Sequence, residues 1–307
     1  MPRFVLVVVK FTEFCFSFST RRSGPASKSS YTRRLGDYLV ATWRYANVSV
    51  IGTSHEKSGK PCQDSSACEV LNDSNGEQVL VAIASDGAGS AQCSNIGSAL
   101  ACSLFVDELR AYLETGNEIK KLTKEFYEEW ILRFQSEIHA RATAMELPVR
   151  EFACTFISTV ISNETAVFAQ IGDGAIVVAS PDDIDTYTWE FWPQQGEYEN
   201  TTYFVTETRA KEKLQFSIHT GKVTDEVSLF TDGLQRLALH YQSQSAHTPF
   251  FRPFFNALRT QTEAKMDKFV TSLAAYLSSN LINDRTDDDK TLILATRRSL
   301  SSNKVDI

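Results

Sequence analysis

Val79–Gly89 reads VLVAIASDGAG. Val79 to Ala84 is a nearly unbroken apolar run, and Ser85-Asp86-Gly87-Ala88-Gly89 then turns sharply. A short apolar run bounded by glycine predicts a buried strand that ends in a tight loop, with a carboxylate at its tip. The same local setting recurs at Gln170-Ile171-Gly172-Asp173-Gly174 and at Phe230-Thr231-Asp232-Gly233. It recurs in mirror order at Asp287-Asp288-Asp289, just before the apolar run Thr291–Thr296.

Outward from this stretch, the spacing of apolar residues sets the remaining elements. Ala91–Leu113 predicts a helix carrying Leu100, Leu104, Leu109 and Leu113. Glu118–Met145 predicts a second, with Ile119, Leu122, Phe126, Trp130, Phe134, Ile138, Ala142 and Met145 on one face, stopped by Pro148. Two long helices with a short link imply an antiparallel pair laid on a sheet. Strands are expected at Asn47–Thr53, Cys154–Ile161, Ala166–Ile171, Ala175–Ala179, Leu214–His219, Val227–Thr231 and Thr291–Thr296. Gly172-Asp173-Gly174 reads as a hairpin between two of them. Further helices are expected at Leu234–His240 and Lys265–Ser278. Strands cluster early, in the middle and late, with helices between, so strict strand–helix alternation is excluded. The expected class is α+β, antiparallel sheets with helices packed outside.

The bulk numbers bound the function. The chain has 307 residues, enough for one large domain or two small ones. Its formal net charge is −7, which repels nucleic acid and anionic membranes at long range. The cysteines, Cys15, Cys62, Cys68, Cys93, Cys102 and Cys154, show no Cys-x-x-Cys pair and no zinc spacing, so they read as reduced thiols of a cytoplasmic protein. Residues 1–40 differ from the rest. The apolar Phe4–Val9 is interrupted by Lys10 and Glu13, and a Ser/Gly/Pro-rich run follows, which fits an extension or a misplaced start rather than a signal peptide. The expected organisation is an extension over 1–40, a catalytic domain over 41–300 and a tail over 301–307.

Taken singly, an Asp-Gly is a turn. Several at strand ends, in one chain, have chemical meaning. Carboxylates gathered at one sheet edge repel each other, and a divalent cation relieves the repulsion. Hard oxygen ligands favour Mg or Mn over Zn or Cu. Two such ions suit hydrolysis of a phosphate ester, because they lower the pKa of a water and screen the phosphate charge.

The order of these motifs resembles the protein phosphatase 2C (PPM) family over about Ala41–Thr296. The matching residues are Gln63-Asp64, Asp86-Gly87-Ala88-Gly89, Thr155, Ile171-Gly172-Asp173, Thr231-Asp232-Gly233 and Asp288-Asp289-Lys290-Thr291. The resemblance is nearest to a bacterial branch with a Cys62-Gln63-Asp64 start, His55 upstream, and a Gly196–Thr202 segment. It implies a four-layer α/β/β/α sandwich of two antiparallel sheets flanked by helix pairs, with metals between the sheet edges. It implies hydrolysis of phosphoserine and phosphothreonine in proteins by a metal-bridging hydroxide, with two or three Mn or Mg ions and no phosphoenzyme. Asp86 would bridge two metals, with the Gly87 carbonyl beside it. Asp232 and Asp288 would hold the first metal, Asp289 being the alternative by one position. Asp173 would help hold a third, and Gln63 would touch the second directly or through water. Asp64 would orient water from behind. The catalytic residues are thus expected to be Asp64, Asp86 and Asp232. A phosphoprotein is the expected partner, with a Ser/Thr kinase as counterpart, and neither nucleic acid nor membrane.

The departures from the family pattern point to other readings. Gln63 stands where glutamate is common, Gly59 where a phosphate-binding arginine often lies, and Ala88 where many members carry a histidine acid. Lys57, Lys60 or His55 are the candidates for the missing positive charge. The alternatives are a catalytically weak phosphatase-like regulatory module and a hydrolase of small phosphate esters. Trp189–Thr202 is read as either a substrate-side flap or a pinned surface loop. Phe250, Phe251, Phe254 and Phe255 are read as core contacts, and His139, His219 and His240 as structural or solvated.

Overall fold

The computed structural model describes residues 42–179, 183, 186–196, 202–221 and 224–298. The expected extension over 1–40, the tail over 301–307 and the interior of the Gly196–Thr202 segment lie outside the described residues. In chain order the strands are β1 (Arg44–Val50), β2 (Ser65–Asn72), β3 (Gln78–Ser85), β4 (Phe156–Ile161), β5 (Thr165–Ile171) and β6 (Ala175–Ala179). They continue with β7 (Tyr187–Phe191), β8 (Gln215–Thr220), β9 (Glu226–Phe230), β10 (Leu239–His240), β11 (Ser245–Ala246) and β12 (Lys290–Thr296). The helices are α1 (Thr53–Ser58), α2 (Ser94–Glu114), α3 (Lys124–Ala144), α4 (Ala210–Lys213), α5 (Gln235–Ala238), α6 (Thr248–Arg259), α7 (Glu263–Leu277) and α8 (Asn280–Asn283).

Two antiparallel sheets carry the fold, in the orders β1-β12-β9-β6-β7 and β2-β3-β4-β5-β8. Strand β3 shows why they stack. Its side chains alternate between faces, and both faces are apolar. Val79, Val81 and Ile83 join a core with Phe105, Trp130 and Phe134 of α2 and α3. Leu80, Ala82 and Ala84 join Ile176, Val227, Leu229 and Ile293 of the opposite sheet. A third core places Phe251, Phe255, Leu273 and Leu277 of α6 and α7 against Phe230, Leu292 and Leu294. Three apolar interfaces therefore separate four layers, helix pair, sheet, sheet and helix pair, which is the expected architecture.

Some expected elements differ. The segment Glu118–Met145 is broken: a 3-10 turn at Ile119–Lys121 precedes α3, and Leu122 and Thr123 are extended. The apolar spacing runs through the break because Ile119 and Leu122 are buried in the same core as Trp130. Leu234–His240 is not one helix. A 3-10 turn at Asp232–Leu234 leads into α5, and Leu239–His240 pairs with Ser245–Ala246, so His240 lies on a strand. Helix α6 forms despite Pro249 and Pro253. The first is tolerated in the opening turn, and burial of Phe250, Phe251, Phe255 and Leu258 offsets the second.

The correction that matters most for function concerns Gly172-Asp173-Gly174. It is not a hairpin. Strand β5 pairs with β4 and β8, whereas β6 pairs with β7 and β9 in the other sheet. The turn is the crossing between sheets, so Asp173 sits at the shared edge of the sandwich. Gly172 has φ +115°, and a Cβ there would stand 2.6 Å from the Thr155 side chain. Only glycine fits such a turn.

Candidate metal centre

Asp86 leaves the end of β3, Asp173 the crossing after β5, and Asp232 the end of β9. Each of the three carboxylates offers an oxygen within 4.8 Å of the others. Their backbones are pinned. The Asp86 amide donates to Thr155 Oγ1 at 2.9 Å, and its carbonyl accepts the Thr155 amide at 2.8 Å. Gly233 lets the β9 turn close on the chain before β12: a Cβ there would meet the Asp289 carbonyl at 1.9 Å. Gln194 accepts the Gly172 amide through Oε1 at 2.7 Å and so ties the crossing down.

The three acids crowd one another. Burial, then Asp232, pushes the Asp173 carboxyl up to about 7. Burial, then Asp288, pushes Asp232 up to about 6. Burial, then the charges of Asp232, Asp64, Asp173 and Asp288, raises Asp86 well above the usual range. Asp288 lies on the rim, itself raised chiefly by burial, and its charge acts on all three. Among the described residues none of Asp86, Asp173 and Asp232 forms an ion pair.

Asp64 and Asp289 are treated differently. Asp289 is 2% exposed. Its Oδ1 accepts the Gly52 amide at 2.6 Å, and its Oδ2 accepts the Gln63 amide at 2.6 Å and faces His55 Nδ1 at 2.9 Å. Both oxygens are taken by the protein, which leaves Asp288 as the acid of this run facing the cluster. Asp64 Oδ2 accepts the hydroxyls of Thr231 at 2.7 Å and Thr291 at 2.8 Å. These threonines, at the ends of two neighbouring strands, hold Asp64 behind the cluster. Gln63 is buried, and its Nε2 donates to the Ala91 carbonyl at 3.0 Å.

Three buried oxygens, Gln63 Oε1, Asp64 Oδ1 and Asp173 Oδ1, have no hydrogen-bond partner. Buried polar atoms are rarely left so. An all-oxygen donor set with orphaned atoms and mutual repulsion fits a hard divalent cation, and the residues present therefore suit Mg or Mn.

Of the cations considered from sequence, Lys60 Nζ donates to the Gly89 carbonyl at 2.6 Å and His55 Nε2 also faces Gly89, whereas Lys57 is exposed. Lys290 is fully buried, its Nζ donating to Asn283 Oδ1 at 3.0 Å, so it holds the chain rather than a ligand. Sequence reasoning missed Gln235, whose Nε2 donates to the Asp173 carbonyl and whose Oε1 accepts the Tyr241 hydroxyl. It also missed the tie between Asp289 and His55. Neither has a local signal, since both depend on contacts made only in the fold. Burial, then the charges of Asp64 and Asp289, pushes the Cys62 thiol far up and disfavours its thiolate.

Comparison with known proteins agrees with this geometry. The sequence profile of the family described as Protein phosphatase 2C matches residues 51–278. Serine/threonine-protein phosphatase 3 of Escherichia coli K12 is 39% identical over 259 residues, covering 83% of this chain and 98% of that protein. The fold resembles a bacterial serine phosphatase with a TM-score of 0.54 at 15% identity, over 83% of this chain and 98% of that one. It resembles the serine/threonine phosphatase Stp1 from Staphylococcus aureus with a TM-score of 0.53 at 15% identity, over 88% and 99%. An acidic edge where two antiparallel sheets meet, a profile match across most of the chain and a full-length relative lead to one conclusion: the chain belongs to the protein phosphatase 2C family.

Proposed function

We propose that this protein hydrolyses phosphoserine and phosphothreonine on other proteins, with Mn or Mg held by Asp86, Asp173, Asp232 and Asp288 and the Gly87 carbonyl. The observation that carries the reading is the meeting of three unpaired carboxylates from separate strand ends. Bound divalent ions would supply an activated water and neutralise the phosphate. The chain's own residues do the rest. Thr155 fixes the Asp86 backbone, and the Thr231–Asp64–Thr291 clamp holds a carboxylate behind the site with Oδ1 directed to no protein donor. Asp64 would position a water, and Gln63, whose Nε2 donates to the Ala91 carbonyl, would offer its unpartnered Oε1 to an ion or to its water.

On this reading residues 41–300 form the catalytic domain, and a Ser/Thr kinase acting on the same proteins is the counterpart. The acidic net charge supports neither nucleic acid nor an anionic membrane as substrate. Free Cys62, Cys68, Cys93, Cys102 and Cys154 support a reducing compartment, the cytoplasm.

The test is Mn-dependent release of phosphate from phosphoserine and phosphothreonine peptides, beside nucleotides and sugar phosphates. Asp86→Asn and Asp232→Asn are expected to abolish turnover while circular dichroism stays native. Full activity in either variant at matched Mn would reject the site. A preference for the small esters would reject the protein substrate.

A further inference from the structure

Hydrolysis of a phosphoserine ester breaks the bond between phosphorus and the serine oxygen, and the electron pair stays on that oxygen. An alkoxide leaves poorly, so a proton delivered in the transition state is worth about 10²–10⁴ in rate. Ala88, in the turn after Asp86, has no proton to give.

His55 on α1 is 7% exposed. Its Nδ1 lies 2.9 Å from Asp289 Oδ2, and that carboxylate is itself held by the Gly52 and Gln63 amides, so the ring orientation is fixed. The opposite nitrogen, Nε2, faces the Asp86 turn: a Cβ placed on Gly89 would stand 3.8 Å from it. The Asp288 carboxyl is close enough to feel His55, and Asp288 in turn acts on Asp86, Asp173 and Asp232. His55 thus stands between the Gly89 turn and Asp288, its back to a buried carboxylate. A carboxylate on Nδ1 is the arrangement that presents Nε2 for proton transfer. The charged groups near the ring are Asp288 and Asp289 before β12 and Lys60 at Gly89, while Glu56 and Lys57 of its own helix are exposed.

We propose that His55 donates the proton to the leaving serine or threonine oxygen, with Asp289 as its positioning residue; the proposal rests on the phosphatase reading above. In the imidazolium form, Nε2–H gives its proton to the departing oxygen as the P–O bond breaks. The attacking water becomes the new phosphate oxygen and sheds its proton to solvent, which reprotonates Nε2. One water is consumed, and one alcohol and one phosphate are released.

The experiment compares a phosphoserine peptide with p-nitrophenyl phosphate, whose phenolate leaves without a proton, at saturating Mn. His55→Gln is expected to lower peptide turnover by about 100-fold or more and p-nitrophenyl phosphate turnover by less than about 5-fold. Thermal melting and Mn titration confirm the variant's fold and metal. Equal losses on both substrates, or unchanged peptide turnover, would overturn the proposal while leaving the phosphatase reading intact. Nitrogen NMR of the metal-free protein is expected to show His55 Nδ1 protonated and hydrogen-bonded, and a ring protonated on Nε2 alone would remove Asp289 from its role. If wild-type protein with Mn hydrolyses neither substrate, the phosphatase reading fails and the His55 proposal falls with it.

Discussion

Replacing Asp173 by asparagine should stabilise the metal-free protein at alkaline pH. The Asp173 carboxyl is raised from 3.8 to about 7 by burial and by Asp232. That rise corresponds to about 4 kcal/mol in favour of the neutral form. A carboxyl that binds its proton more tightly folded than unfolded contributes stability that is full below about pH 4. The contribution is lost as pH rises through about 7. At pH 8 the metal-free wild type therefore carries an ionised Asp173 against Asp232 and Asp86, and the asparagine variant does not. The amide keeps a desolvation cost, since Oδ1 has no partner, so the net gain expected is about 2–3 kcal/mol. For a chain of this size that is roughly 4–10 °C in melting temperature. The assay is thermal unfolding by circular dichroism in chelator at pH 5 and pH 8, repeated with saturating Mn. In chelator the variant should melt higher at pH 8, with the gap shrinking at pH 5 where Asp173 is largely protonated. With Mn the order should invert, because wild type gains more from the ion. A variant no more stable than wild type at pH 8 in chelator, beside a wild-type melting temperature flat from pH 5 to 8, would refute the electrostatic account of the cluster.

Thr231→Val removes a hydroxyl that donates to Asp64 and accepts the Thr291 amide; a loss of about 2–3 kcal/mol is expected in urea unfolding. Arg259→Ala removes the shortest ion pair of Glu226, whose side chain is fully buried and still meets Arg298 at 3.6 Å and the Thr296 hydroxyl, and should lose about 2–4 kcal/mol. The double change Arg259→Met with Glu226→Leu should recover most of that loss. Gly172→Ala places a methyl 2.6 Å from Thr155 at φ +115°. Strain of about 1–3 kcal/mol should appear as lower stability and also as weaker Mn binding by calorimetry, because Thr155 holds the Asp86 amide; stability loss with unchanged Mn affinity would separate Thr155 from the site.

Strand ends were legible in the sequence because their signals are local. The apolar run into Asp86 and the glycine after Asp232 report a backbone that must stop and turn, and the structure places both at the sandwich edge. The destination of a turn is not local. Gly172-Asp173-Gly174 carries the same glycines whether the next strand pairs with the last one or leaves for the other sheet. The choice is made by β4, β8 and β9, which compete for the edges. Helix α6 was hidden for a related reason: Pro249 and Pro253 argue against a helix, and only the burial of Phe251 and Phe255 outweighs them. The tie between His55 and Asp289 joins the two ends of the domain, and no pattern within either segment encodes it.

The acids of this edge divide by who satisfies them. Asp289 is met by two backbone amides and an imidazole nitrogen, and Asp64 Oδ2 by two threonine hydroxyls, all from the chain itself. Asp86, Asp173 and Asp232 face one another instead, and burial and then mutual repulsion raise all three. Had the protein needed these carboxylates only for folding, donors of the kind that surround Asp289 would stabilise them at no cost in repulsion. Leaving them unmet lowers the stability of the empty protein and raises the free energy released when a divalent ion arrives. The same account fits Gln63 standing where glutamate is common in the family. With the charge supplied by four aspartates from strand ends, a buried amide oxygen adds a polar atom to the cradle without adding another charge that must be desolvated.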